Sequence, residues 1–282
     1  MTATLTTAVT PQAKPRVIVT RPAREAAAWV QSLSQAGLQA VALPLIDILP
    51  ADDPSPVHHA WQRLHGYAAV MFVSANAVAG FFESKPVESQ WICTKNAIEK
   101  VAIQRAWATG PGTFQALQQA GVPPELIDAP PIEAAQFDSE ALWHLVAAQV
   151  RKGQRVLIVR GSDGQAMREA QGVGRDWLAS RLTEAGVMVD FVVTYQRGLP
   201  RWSPAQMKLA VDAARDGSIW LFSSSEALAN LRTILPTQDW SSVRAIATHA
   251  RIAEAAKAAG FSVVFESRPT LMSIVGSIES IR

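Results

Sequence analysis

Apolar residues in this chain come in short dense runs, each followed by a longer stretch with apolar positions at helical spacing. Val17 to Thr20 is such a run, and Glu25 to Gln35 follows it with Ala, Val and Leu on one face. The pattern predicts a strand, then a helix, with Gly37 as the helix C-terminal cap. Val156 to Val159 repeats it, with a helix over Asp176 to Glu184 and Gly186 as the stop. Val70 to Val73 and Ile219 to Phe222 read as short buried strands, each leading into a helix. Leu126 to Asp128 and Ser262 to Phe265 read as further strands. Asp138-Ser139-Glu140 and Pro269-Thr270-Leu271 each open a last helix, with Ser139 and Thr270 as expected N-caps.

The runs also repeat over a longer distance. Trp107 to Gly121 aligns without a gap on Ile246 to Gly260, 139 residues further on. The same spacing carries Val17-Ile18-Val19-Thr20-Arg21 onto Val156-Leu157-Ile158-Val159-Arg160. Phe72-Val73-Ser74 matches Leu221-Phe222-Ser223 in order but not in spacing. Three blocks in one order predict two related halves. Alternating strand–helix units with near-continuous apolar strands predict parallel sheets covered by helices. The expectation is therefore an α/β protein of two related parallel-sheet domains. Ala40 to Leu49 and Val187 to Gln196 are extended and end the first strand–helix unit of each half. They are expected to pair as an antiparallel two-stranded connector, leaving a cleft between the domains.

Composition narrows the chemistry. The 282 residues are 49% hydrophobic and 18% charged, as in ordinary globular proteins. A net charge of +2, with no run of Lys or Arg, gives no footprint for nucleic acid. Met1 to Lys14 reads as a loose tail, without the apolar run of roughly 7–15 residues that marks a secretory signal. No stretch approaches the about 18–20 apolar residues that span a bilayer. A single cysteine, Cys93, rules out an internal disulfide and fits the cytoplasm. The histidines, His58, His59, His65, His144 and His249, form no metal-binding pair, and no C-x-x-C is present. His58 and His59, after Pro54 and Pro56, read as exposed loop residues. No metal site is expected, and the common nucleophile and nucleotide motifs are absent.

Ligands of open parallel sheets bind outside the carboxyl ends of the strands. Those ends carry Thr20-Arg21, Ser74-Ala75-Asn76, Thr109-Gly110-Pro111-Gly112-Thr113, Arg160-Gly161, Ser223-Ser224 and Thr248-His249. Hydroxyls, glycines and two arginines, with unpaired helix-start N–H groups, suit an anion with several carboxylates. The same hydroxyls would also serve as N-caps. Arg21 and Arg160 occupy equivalent places, where each either forks a carboxylate or pairs with an acid on its own domain. Tyr195 stands at the end of Val192-Val193-Thr194, at the side of the expected cleft or as a half-buried aromatic closing a strand. Tyr67 reads as a packing residue at a domain edge. Trp29 and Trp177 precede Leu33 and Leu182 at core spacing, not as a stacking platform.

With Val19-Thr20-Arg21-Pro22, Phe72-Val73-Ser74-Ala75-Asn76-Ala77-Val78, Gly110-Pro111-Gly112-Thr113, Val159-Arg160-Gly161, Val193-Thr194-Tyr195-Gln196-Arg197 and Phe222-Ser223-Ser224-Ser225 in this order, the chain resembles the uroporphyrinogen-III synthase family. The resemblance implies two α/β domains, 16–43 with 199–282 and 52–188, joined by a ladder of 44–51 and 189–198. It implies a cofactor-independent lyase that closes linear hydroxymethylbilane into uroporphyrinogen III, inverting the last pyrrole ring and losing water. It further implies a cytoplasmic monomer in tetrapyrrole and heme biosynthesis, in transient contact with the preceding pathway enzyme. Tyr195 matches the family tyrosine proposed as proton donor to the leaving hydroxyl. Thr20, Arg21, Ser74, Asn76, Thr109, Gly110, Thr113, Arg160, Gly161, Ser223, Ser224 and Thr248 fall at the expected substrate-binding positions. A free phenol, of pKa ~10, stays protonated at neutral pH but is a weak general acid, so its share lies at the low end of ~10²–10⁴-fold. Holding the chain for inverted closure then carries more, since orientation reaches ~7–11 kcal/mol. Where the family's second half commonly reads Gly-Pro-x-Thr, this chain reads Ala247-Thr248-His249-Ala250, which leaves the part of Thr248 and His249 open. A non-catalytic two-domain cytosolic binder or sensor of an anionic small molecule such as a tetrapyrrole is the rival reading.

Overall fold

The computed structural model describes residues 15–87, 89, 91, 105–131, 139–162 and 177–281. The expected tail Met1 to Lys14, Cys93, and the helix-opening residues Asp138 and Asp176 lie outside them.

In chain order the elements are β1 (Val17–Val19), α1 (Ala23–Gln35), β2 (Ala40–Ala42), β3 (Asp47–Pro50), α2 (Ser55–Gln62), β4 (Ala69–Phe72), α3 (Ala75–Glu83), β5 (Arg105–Ala108), α4 (Pro111–Gln119), β6 (Ile127–Asp128), α5 (Ser139–Val146), β7 (Arg155–Ser162), α6 (Trp177–Glu184), β8 (Met188–Gly198), α7 (Pro204–Ala213), β9 (Ile219–Phe222), α8 (Ser225–Ile234), β10 (Arg244–Ala247), α9 (Ala250–Ala258), β11 (Val263–Glu266) and α10 (Leu271–Ser280). The chain divides into two compact units. Unit 1 comprises 1–47 with 199–282, and unit 2 comprises 48–198.

Unit 1 holds a five-stranded sheet in the order β2-β1-β9-β10-β11, with β1–β2, β1–β9, β9–β10 and β10–β11 all parallel. Unit 2 holds β8-β7-β4-β5-β6, also parallel, with β3 added beside β8. The two arrangements are equivalent. Unit 1 has the doubly wound order 2-1-3-4-5, and unit 2 reaches the same spatial arrangement in permuted chain order, 5-4-1-2-3, with the switch between β1 and β9 in unit 1 and between β7 and β4 in unit 2.

The central strands β1, β4 and β9 are fully buried because helices cover both faces of each sheet. Unit 1 packs Val17, Val19, Leu221 and Ile246 against Leu33, Ile274 and Ile278 on one face. Trp220, Phe222, Trp240 and Phe261 stack on one another at ring separations of 5.2–6.1 Å. Unit 2 packs Phe72, Phe81 and Trp61 on one face, and Trp107, Leu142, Leu178 and Leu182 on the other. Trp29 and Trp177 pack against these cores from helices α1 and α6. Gly37 and Gly186 both take φ of 77° just past a helix end. There Leu38 N–H reaches Leu33 O, and Val187 N–H reaches Leu182 O, both at 3.0 Å. The left-handed conformation needs glycine, and it closes α1 and α6 in the same way.

Five sequence expectations change. The segment over 40–49 is not one connecting strand. It breaks at Pro44 into β2, inside the unit 1 sheet, and β3, beside β8. Nor does β8 stand apart, since its residues Met188 to Gln196 form the parallel partner of β7. The two-stranded connection is thus the β3–β8 edge of the six-stranded sheet. His58 and His59 are exposed as expected, but on helix α2, where Pro56 sits in the first turn and costs no helical hydrogen bond. Ser139 is the first residue of α5 and not the residue before it. Tyr67 is a core residue, 6% exposed, whose hydroxyl donates to Asp190 Oδ2 at 2.9 Å.

Candidate functional site

The matched strand registers place the repeat more finely than the sequence does. Val19 pairs with Leu221, and Ile158 pairs with Met71. With Val19 equivalent to Ile158, Met71 answers Leu221 and Ser74 answers Ser224. The sequence alignment of Ser74 with Ser223 is therefore off by one. Hydrogen bonding agrees. Ser74 Oγ accepts from Ala77 N–H at 3.1 Å and caps α3, and Ser224 Oγ accepts from Glu226 N–H at 3.2 Å and caps α8.

In unit 2 the switch-point residues meet at one oxygen. The Tyr195 hydroxyl lies 3.1 Å from Ser74 Oγ, and Arg197 Nη2 donates to it at 3.3 Å. A bulge aims the ring. Arg160 pairs with Val193 but Gly161 pairs with Tyr195, so Thr194 is the extra residue. Simple alternation would turn Tyr195 away from Val192, but with the bulge both enter one core cluster. Gly161 is needed where the ring passes, because a Cβ there would stand 2.3 Å from Tyr195 Cζ. Tyr195 is 3% exposed, so it is a packed ring with a polar end and not a half-buried one.

The neighbouring unit 2 residues differ in how their side chains are engaged. Arg160 lies half-buried at the end of β7, its guanidinium 4.5 Å from the centre of the exposed Phe191 ring. Asn76 is half-buried in the first turn of α3. Thr109 donates to Val73 O at 3.3 Å, joining the ends of β5 and β4. Gly110 is the N-cap of α4, buried and extended, and Thr113 is buried one turn inside that helix.

Unit 1 uses the same positions differently. Thr20 is 1% exposed, and its hydroxyl donates to Leu221 O at 2.7 Å, so it stitches β1 to β9. Arg21 pairs with Glu25 at 3.1 Å and lies 4.9 Å from the Trp29 ring centre. Of the two roles open to it in the sequence, this is pairing with an acid of its own unit. Burial pushes the Arg21 guanidinium below its ordinary value, and the Glu25 charge works against that shift. Arg21 Nε is buried with no hydrogen-bond partner among the described residues. Ser223 and Thr248 are half-buried at the ends of β9 and β10. His249, not Thr248, caps α9, its Nδ1 accepting from Arg251 N–H at 3.1 Å. The side chains that sequence reading passed over are Arg197, Phe191 and Glu25. Arg197 had a signal, since a residue two places along a strand shares a face with Tyr195.

Among the described residues no group of three or more His, Cys, Asp or Glu is placed to hold a metal ion, and no helix is long and apolar enough to cross a membrane.

Two doubly wound units of equivalent strand arrangement, with hydroxyls and arginines at their strand ends, define a class of two-unit α/β proteins. Within that class the chain belongs to the uroporphyrinogen-III synthase family, since residues 27–276 match the family described as Uroporphyrinogen-III synthase HemD. Uroporphyrinogen-III synthase from Chlorobaculum parvum is 32% identical over 152 residues, 52% of this chain and 53% of that protein. The porphyrin biosynthesis protein HemD of Ruminiclostridium josui is 21% identical over 264 residues, 93% of this chain and 48% of that protein. The chain spans about half the length of these curated relatives. Its fold is similar to a uroporphyrinogen III synthase variant from Thermus thermophilus (TM-score 0.52, 16% identity, 94% of this chain and 98% of that one). It is equally similar to uroporphyrinogen-III synthetase from Helicobacter pylori (TM-score 0.53, 15% identity, 95% and 100%).

Proposed function

We propose that this chain closes hydroxymethylbilane into uroporphyrinogen III with inversion of the terminal ring and loss of water, a lyase reaction of tetrapyrrole and heme biosynthesis. Family membership supports the reaction class. The observation that carries the reading is the Tyr195 hydroxyl held by Ser74 and Arg197 at the end of β8. Tyr195 donates its proton to the leaving hydroxyl. Arg160 and Asn76 in unit 2, and Ser223, Ser224 and Thr248 in unit 1, offer donors to substrate carboxylates. Thr20, Arg21, Thr109, Gly110, Thr113 and Gly161 shape those strand ends through the contacts described above. Orientation of a flexible linear substrate accounts for more of the rate than proton donation does. The chain works as a cytoplasmic monomer that receives its substrate from the preceding enzyme.

The test supplies hydroxymethylbilane and separates the product isomers. The type III isomer, formed faster than spontaneous closure, is expected. Type I alone at the spontaneous rate would reject the reading, and tight uroporphyrinogen binding with that outcome would mark a sensor instead.

A further inference from the structure

We propose that Arg197 is a positioning residue for this reaction: it fixes Tyr195 as a proton donor and balances the charge left on the phenol oxygen. The inference rests on the function proposed above. Its geometry lies on one strand, since Tyr195 and Arg197 are two residues apart on β8. Arg197 Nη2 is 3.3 Å from the phenol oxygen, and its guanidinium carbon is 5.9 Å from the ring centre.

A guanidinium only donates, so the direction of the Arg197 bond is fixed. Ser74 Oγ accepts from Ala77 N–H and keeps both a hydrogen and a second lone pair for Tyr195, 3.1 Å away, so either hydroxyl can donate across that contact. The Arg197 bond occupies one lone pair of the phenol oxygen, and once Ser74 turns its own hydrogen to that oxygen the phenol hydrogen is released to a third acceptor. That acceptor is the hydroxyl of the substrate.

The step balances as follows. The phenol O–H bond breaks and its proton joins the substrate hydroxymethyl oxygen. The carbon–oxygen bond breaks with its electron pair on oxygen, and water leaves. The substrate becomes a cation conjugated through the pyrrole nitrogen, and the phenol becomes a phenolate beside a guanidinium that stays charged. For the inverted product the substituted α-carbon of the last ring bonds to the cation, its old bridge bond breaks, the freed bridge carbon bonds to that ring's unsubstituted α-carbon, and the proton lost from this carbon restores the phenol. Arg197 therefore acts where charge develops in the transition state.

The test compares Arg197→Met and Arg197→Lys on two bilanes, one with the natural hydroxymethyl group and one with an acetoxymethyl group, which leaves without a proton. On the hydroxymethyl substrate Arg197→Met is expected to lower kcat about 10–100-fold with KM little changed. Arg197→Lys should regain most of that loss, and added guanidinium ion part of it. On the acetoxymethyl substrate Arg197→Met should run within about threefold of the parent chain, a loss of charge-assisted donation alone. Equal losses on both substrates, or a raised KM with unchanged kcat, would overturn the proposal and make Arg197 a carboxylate holder or a structural residue. Should Arg197→Met fail to fold, Arg197→Gln gives the same reading. Failure of the parent chain to form type III from either bilane would remove the underlying function, an outcome distinct from any Arg197 result.

Discussion

At the end of β1 Arg21 is followed by Pro22, which precedes α1 directly and stops the strand. At the equivalent place in unit 2, Arg160 is followed by Gly161, and β7 runs on to Ser162. The longer β7 lets β8 pair as far as Gln196, where β2 pairs with β1 over only three residues, and the bulge at Thr194 brings Tyr195 over the glycine. In unit 1 the corresponding chain turns at Pro44, with Leu43, Leu45 and Ile46 buried, and no phenol arises. One plan thus places a phenol hydroxyl beside Ser74 and Arg197 at the unit 2 end, and only hydroxyls and an arginine paired with its own glutamate at the unit 1 end. Both tyrosines of the chain, Tyr67 and Tyr195, lie in unit 2.

The sharpest way to break this contrast is Gly161→Ala. The new methyl enters the space of the Tyr195 ring, and displacement of a reacting group by about 1 Å costs about 10²-fold in rate. Steady-state cyclisation kinetics should show a fall in kcat of that size or larger. A Gly161→Ala variant with parent kcat would mean that the ring's seat is not required.

Tyr67 separates the units by pH. Burial, then the Asp190 carboxylate, pushes its pKa up to about 12 from 10. The neutral phenol is thus favoured in the folded state. This stabilisation is complete below pH 10 and disappears as pH rises through about 12. In Tyr195→Phe, Tyr67 is the only tyrosine left, so phenolate absorbance should titrate near 12. A midpoint near 10 would show that the Asp190 contact is not maintained.

The paired caps give the smallest effects. Ser74→Ala and Ser224→Ala should each cost about 1 kcal/mol in denaturant unfolding, as N-cap losses do. Only Ser74→Ala should also lower kcat, because only Ser74 touches Tyr195. Ser224→Ala should show its effect in KM. Equal kcat losses in both would erase the functional distinction between the units.

Much of this asymmetry was hidden in the sequence for identifiable reasons. The alternation of apolar strands and helices, and the repeat over 139 residues, mark the two sheets and their polar strand ends. Those features are local, and local chemistry sets them. The Ser74–Ser224 equivalence needs strand register, which one misaligned residue inverts. The Thr194 bulge leaves no mark in the apolar pattern, so the direction of Tyr195 cannot be read from alternation. Arg21 and Arg160 look alike as letters, yet a glutamate one helical turn on engages Arg21, while Arg160 faces the Phe191 ring. Helix α2 looked like a loop because Pro54 and Pro56 signal a break, although proline is accommodated in a first helical turn.

The central claim is that unit 2 supplies the proton while orientation does most of the work. Single-turnover cyclisation of hydroxymethylbilane by Tyr195→Phe, with isomers separated, tests it most directly. The account predicts closure slowed by about 10²-fold, with type III still the product. Closure at the rate of the parent chain would contradict the proton-donor role, and a folded variant yielding only type I at the spontaneous rate would contradict the primacy of orientation.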